Sequence, residues 1–175
     1  MFRTQALFGL MLAGFMGSAA AVGPGYLGNL SGQSFSIGNS FGPLSTIHDI
    51  YTFDILPFSV AAGTAVTVNL DSPLFAGVEF ALSNFGVEFR NSADALIASD
   101  FQTSPTDYTV EIAANLAAGN GYRFIVRGDV AGTMGGSYGG VLAAAPIPEA
   151  ETYLMLLAGL GLVGMMVVRS RRSMY

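Results

Sequence analysis

The sequence predicts an all-β fold: an antiparallel β-sandwich, jelly-roll-like, of about seven to nine strands, flanked by an apolar helix at each end. Three observations carry this. Between Val22 and Ala145 the apolar residues recur at a period of two, and no stretch of helical period exceeds two turns. Turn formers punctuate the runs, at Pro57, Gly63, Pro73, Gly86, Gly119, Gly121 and Gly128. The uncharged apolar stretches that read as helices fall only at the two ends.

The front element, Met1 to Ala21, carries one positive charge at Arg3, an apolar run from Ala6 to Phe15, and small residues at Ala19, Ala20 and Ala21. That order is what a signal peptidase reads, with the cut after Ala21 or Ala20. The apolar run is too short to cross ~30 Å of hydrocarbon comfortably. The first 21 residues are therefore expected to be a signal peptide, removed on export.

The body, residues 22–145, reads as successive strands. Tyr51, Phe53 and Ile55 alternate with Thr52 and Asp54, and Val66, Val68 and Leu70 alternate with Thr67 and Asn69. Val78, Phe80 and Leu82 precede Val87 and Phe89, and the phrases Val78-Glu79-Phe80 and Val87-Glu88-Phe89 read as adjacent strands. Leu96 and Ala98 follow a turn at Asn91 to Asp94; Tyr108, Val110 and Ile112, then Tyr122, Phe124 and Val126, complete the set. In each run the apolar positions are expected to face the core. The glycine-rich run Gly132 to Gly140 reads as a flexible hairpin connection. Tyr26, Phe35, Phe41, Phe58, Phe75, Phe85 and Phe101 read as loop aromatics stapled onto the ends of the sandwich.

The tail, residues 146–175, holds an uncharged stretch from Tyr153 to Val168, about 24 Å long as a helix at ~1.5 Å per residue. It reads as a short transmembrane helix. Arg169, Arg171 and Arg172 follow at once in the basic end, 169–175, and by the positive-inside rule hold it in the cytoplasm with the body outside.

Composition excludes several classes of function. The chain has no lysine and no cysteine, so disulfides, thiolate metal sites, thiol nucleophiles and a lipidated cysteine are all ruled out. The body holds Arg90, Arg123 and Arg127 against ten acids, a formal net of 3 − 10 = −7. Nucleic acid is not a partner for such a surface, since binding it requires clustered cations.

Candidate chemistry is sparse. His48 is the single histidine, so a Ser-His-Asp arrangement has to use it with Asp49 or Asp54. Strand neighbours point to opposite faces, which disfavours the His48–Asp49 pair, and no nucleophile elbow is present. Asp94, Asp100, Asp107 and Glu111 could supply a carboxylate pair, and those acids with Asn91 calcium ligands, yet their spacing matches no such motif and reads as turn capping. No catalytic residue, metal or cofactor is expected, and the chain is not read as an enzyme.

Pro148-Glu149-Ala150, a glycine-spaced apolar helix containing AGLGLVG at Ala158 to Gly164, and the arginine cluster together resemble a PEP-CTERM protein-sorting tail. Ala150 stands where the family pattern has a second proline. The resemblance implies a sorting signal made of Pro148, Glu149, Ala150, Arg169, Arg171 and Arg172, recognised by an exosortase-type membrane protease. It implies a protein anchored transiently in the inner membrane with its body in the periplasm, then released to the cell surface or an extracellular, exopolysaccharide-based biofilm matrix. The body's phrases IHDIYTFDI (Ile47 to Ile55), AGTAVTVNL (Ala62 to Leu70), VEFRNSADALIASD (Val87 to Asp100), LAAGNGYRFIVRG (Leu116 to Gly128) and GGSYGGVLAA (Gly135 to Ala144) are similar to bacterial pre-peptidase C-terminal β-sandwiches. They are closer still to the FxDxF group of PEP-CTERM proteins, with Ile47 and Tyr51 around Asp49. The alternative left open is a polysaccharide- or calcium-binding module held permanently by its C-terminal helix.

Overall fold

The computed structural model describes residues 21–68, 70–71, 79–104, 106–147 and 150–172. The expectations for Met1 to Ala20, including Ala19, and those for Asn69, Pro73, Phe75, Val78, Pro148 and Glu149 lie outside these residues.

In chain order the strands are β1 (Gly25–Asn29), β2 (Ser34–Phe41), β3 (Thr46–Ile55), β4 (Ser59–Val68), β5 (Leu70–Asp71), β6 (Glu79–Phe80), β7 (Leu82–Arg90), β8 (Leu96–Phe101), β9 (Thr109–Leu116), β10 (Gly119–Val130) and β11 (Gly136–Pro146). The helix α1 (Ala150–Arg172) follows them. One sheet has the order β1-β3-β10-β7-β8 and the other β2-β11-β4-β9, while β5 and β6 form a small separate ribbon. Four antiparallel pairs, β2 with β11, β3 with β10, β4 with β9 and β7 with β8, nest like the rungs of one long hairpin. Rolled so that successive rungs alternate between the sheets, that hairpin is the jelly roll expected from the sequence.

The larger sheet departs from the antiparallel expectation at its edge, because β1 runs parallel to β3. Asn29, at the end of β1, explains the attachment: its side chain donates to the carbonyl of Leu56 and accepts from the Leu56 amide, closing the edge as a strand backbone would. Val22 is bridged to Ile37 of β2 in the same parallel sense.

Three other expectations change. Glu79–Phe80 pairs with Leu70–Asp71 rather than with the Val87 strand, which instead lies between β10 and β8. Of the expected turn glycines, Gly63, Gly86, Gly121 and Gly128 sit inside strands. The run from Gly136 onward is no flexible connection but β11, a central strand of the smaller sheet, and only residues 131–135 turn. Gly140 is small for a packing reason, since a Cβ there would lie 2.0 Å from the Thr64 carbonyl oxygen.

The core lies between the sheets. Tyr51, Phe53, Phe85, Phe89, Phe124, Val87 and Val126 project from the five-stranded sheet onto Ile37, Ala61, Ala65, Val110, Ile112 and Leu142 of the four-stranded one. Burying each large side chain contributes ~1.5–3 kcal/mol. Phe35, Phe41 and Phe85 thus belong to strands that pack on the core rather than to loops. In β4 the expected orientation is inverted: Ala61, Gly63, Ala65 and Thr67 face inward while Val60, Val66 and Val68 face solvent. Phe124 is the cause, because its Cε2 atom would come within 2.3 Å of any Cβ at Gly63. At Gly63 itself, only glycine fits beneath that ring.

The helix α1 carries the tail. Its described side chains from Leu154 to Met166 are exposed, the leucines, Val163 and the methionines among them each more than half so. Among the described residues no helix is long and apolar enough to cross a membrane.

Candidate functional site

The alternation of β3 puts Ile47, Asp49, Tyr51, Phe53 and Ile55 on the buried face and His48 on the solvent face. His48 and Asp49 are therefore back to back, and no His–Asp relay exists between them. Asp49, 8% exposed, accepts a 2.6 Å hydrogen bond from Tyr138 and a 2.9 Å bond from the Asn39 side-chain amide, both onto Oδ2. The Tyr138 oxygen lies 2.8 Å from that of Tyr51. Since Tyr138 gives its only proton to Asp49, Tyr51 must donate to Tyr138. Burial, reinforced by the bond to Asp49, raises the Tyr138 pKa far above that of a free phenol; burial likewise raises that of Tyr51. Both phenols stay protonated through the physiological range, so neither is a nucleophile or base.

This cluster links β3 of one sheet to β2 and β11 of the other. It is a polar rivet between the layers. The period of two that puts Tyr51 and Phe53 inward extends back to Asp49 and is the signal that could have found it, but its partners lay hidden, Tyr138 within a run that reads as a glycine turn.

The outer face of the five-stranded sheet gathers every arginine of the body. Glu88, 6% exposed, receives Arg90 Nε at 2.6 Å and lies 3.1 Å from Arg127 Nε, while Arg123 reaches Asp94 at 3.2 Å. The Glu88 hydrogen bond raises the Arg90 pKa further and keeps that guanidinium charged. Of the other candidates, Asp107 and Asn91 cap turns as their sequence context suggested, whereas Asp100 lies in β8 and bonds across to β9 of the other sheet. Asp100 accepts from the Glu111 amide, Asp107 from the Thr103 amide and hydroxyl, and Asn91 from the amides of Ala93 and Ala95. Among the described residues, no three acids or histidines converge on a point that could hold a metal.

At the C-terminal exit, the Ile147 amide donates to the Phe58 carbonyl at 3.1 Å, the last backbone bond between body and tail among the described residues. Ala150 opens α1, and Arg169, Arg171 and Arg172 lie in its last turns. Pro148 and Glu149, between these points, belong to the residues not described.

Comparison with known proteins finds a PEP-CTERM protein-sorting motif at residues 146–172. The chain carries this motif, which is recognised by exosortase, a membrane protease, in exported proteins. No curated protein matches the chain. Among solved structures, the pre-peptidase C-terminal domain of a collagenase from Bacillus anthracis is similar at 15% identity and a TM-score of 0.44, over 69% of this chain and 93% of that one. A periplasmic inhibitor of g-type lysozyme from Aeromonas hydrophila, PliG, is similar at 15% identity and a TM-score of 0.35, over 69% of this chain and 99% of that one.

Proposed function

We propose that this protein is a non-enzymatic component of the cell surface or extracellular matrix, exported behind a cleavable signal, held briefly in the inner membrane by its tail, and released by an exosortase-type protease. The observation that carries the reading is the sorting motif beginning where the jelly roll closes. Among the described residues the body's last backbone bond is at Ile147, and the proposed recognition residues Pro148, Glu149 and Ala150 follow directly. Cleavage there removes nothing the fold needs.

Two physical features support a temporary anchor. The described apolar side chains of α1, from Leu154 to Met166, find no cover on the body, as expected of a helix meant for an apolar environment. Its uncharged stretch, Tyr153 to Val168, is about 24 Å long at ~1.5 Å per residue, shorter than a ~30 Å hydrocarbon core. Arg169, Arg171 and Arg172 make up part of the difference by snorkelling to the inner headgroups. A marginal span suits a hold that a protease ends.

The body supports a non-catalytic role through what its polar groups already do. Asp49 is occupied with Tyr138 and Asn39, Glu88 with two arginines, and Asp100 and Asp107 with backbone amides. Mass spectrometry of the secreted protein, from cells with and without the sorting protease, tests the proposal. The expected mature form starts at Ala21 or Val22 and lacks α1 only when the protease is present. Persistence of the C-terminal peptide through Tyr175 in both strains overturns it in favour of a permanent anchor.

A further inference from the structure

We propose that the outer face of the five-stranded sheet carries a binding site for an uncharged pyranose unit of a polysaccharide, with Phe101 as its platform and Arg127, His48 and Asp129 as its polar contacts. This goes beyond the sorting reading and does not depend on it. The site comes from register. His48 on β3 pairs with Arg127 on β10, Arg127 with Gly86 on β7, and Gly86 with Phe101 on β8, so the four form one row across the sheet.

Gly86 makes the row a recess. A Cβ there would lie 2.1 Å from the Phe101 ring, so only glycine lets the ring settle over the strand. The ring nevertheless stays 44% exposed, an open aromatic surface with no core function. Phe101, Arg127, His48, Asn84 and Asp129 line a shallow concavity of about 310 Å³, comparable to a small-ligand site.

The polar groups are poised rather than spent. Arg127 Nε faces Glu88, but among the described residues its two terminal nitrogens have no hydrogen-bond partner, and neither has the His48 ring. Asn84 donates to Oδ2 of Asp129 at 2.9 Å, fixing the carboxylate and leaving Oδ1 open. A guanidinium edge with two parallel donors, a carboxylate oxygen and an imidazole beside an apolar plate match a ring that presents hydroxyls around its rim and C–H groups on its face.

Charge selects the uncharged sugar over a uronate. Glu88 and Asp129 flank Arg127, and the body as a whole carries a formal −7, so a polyanion meets repulsion and finds no unbalanced cation.

The test is affinity electrophoresis of the full chain in mild detergent, through gels containing galactomannan, mixed-linkage β-glucan or dextran, with alginate as the polyuronate arm. Retardation by at least one neutral polymer is expected. Phe101→Ala should weaken it at least tenfold, Phe101→Tyr should preserve it, and His48→Ala and Asp129→Asn should each weaken it severalfold. Because Phe101 and His48 are exposed, these variants should melt like the parent, which separates lost binding from lost fold. Retardation by alginate alone, by no polymer, or by a neutral polymer with Phe101→Ala unaffected overturns the proposal.

Discussion

The two sheets of this jelly roll solve the same packing problem with opposite residues. The five-stranded sheet sends rings inward, from Tyr51, Phe53, Phe85, Phe89 and Phe124; the four-stranded sheet receives them on small or slender residues such as Ala61, Gly63, Ala65 and Val110. Outside, the contrast concerns polarity. The larger sheet carries all the body's arginines, and β4 of the smaller one presents valines. Large-to-small complementarity across the interface therefore matters more than the hydrophobicity of either face.

The sharpest way to break the comparison is to put bulk on the small-residue side. Gly63→Val places side-chain atoms where the Phe124 ring already sits, and overpacking of this severity costs about 3 kcal/mol or more. Urea unfolding should show that loss, and Phe124→Leu in the same chain should recover part of it. If the two substitutions add without coupling, the ring is not what dictates Gly63.

Tyr138 gives the comparison its second term, a buried ring on the small-residue sheet that carries a proton to Asp49. Tyr138→Phe leaves Asp49 with the Asn39 amide alone and Tyr51 without its acceptor, an expected loss of about 1–3 kcal/mol. The pH dependence has a definite sign. Above about pH 10, the ordinary phenol pKa, the unfolded chain loses tyrosine protons while folded Tyr51 and Tyr138 keep theirs, so the unfolded state binds fewer protons and stability falls as pH rises. Below that value the contribution is fully present. The urea midpoint should therefore decline above pH 10 in the parent chain and decline less steeply in Tyr138→Phe.

The same asymmetry explains what could be read from the sequence. In β3, β9 and β10 the inward positions hold Ile47, Phe53, Val110, Ile112, Phe124 and Val126, and the period of two gives the correct face directly. In β4 and β11 the inward residues are small or scattered among glycines, so the hydrophobic pattern points the wrong way in one and vanishes in the other. Asp49 could be placed on the core face, but its bond to Tyr138 joins residues 89 apart, and no local pattern encodes it. The sorting motif was legible because its parts are contiguous and ordered along the chain, whereas the body's site is assembled from four strands.

The smallest effect tests the outward side of β4. Val66 is 42% exposed and opposite Thr109 and Gly139, neither of which covers it. Val66→Thr keeps the β-branched shape that suits a strand and exchanges one solvent-facing methyl for a hydroxyl. Stability should stay within about 0.5 kcal/mol of the parent, as for surface substitutions generally. Val110→Thr, the same exchange on the neighbouring strand but facing the core at 1% exposure, should cost several times more, since the hydroxyl is taken from water into an apolar layer. A loss at Val66 as large as that at Val110 means that the valine face of β4 is covered in solution. The four-stranded sheet would then be packed on both sides, and the difference between the two sheets would lie in what covers their outer faces rather than in what fills the space between them.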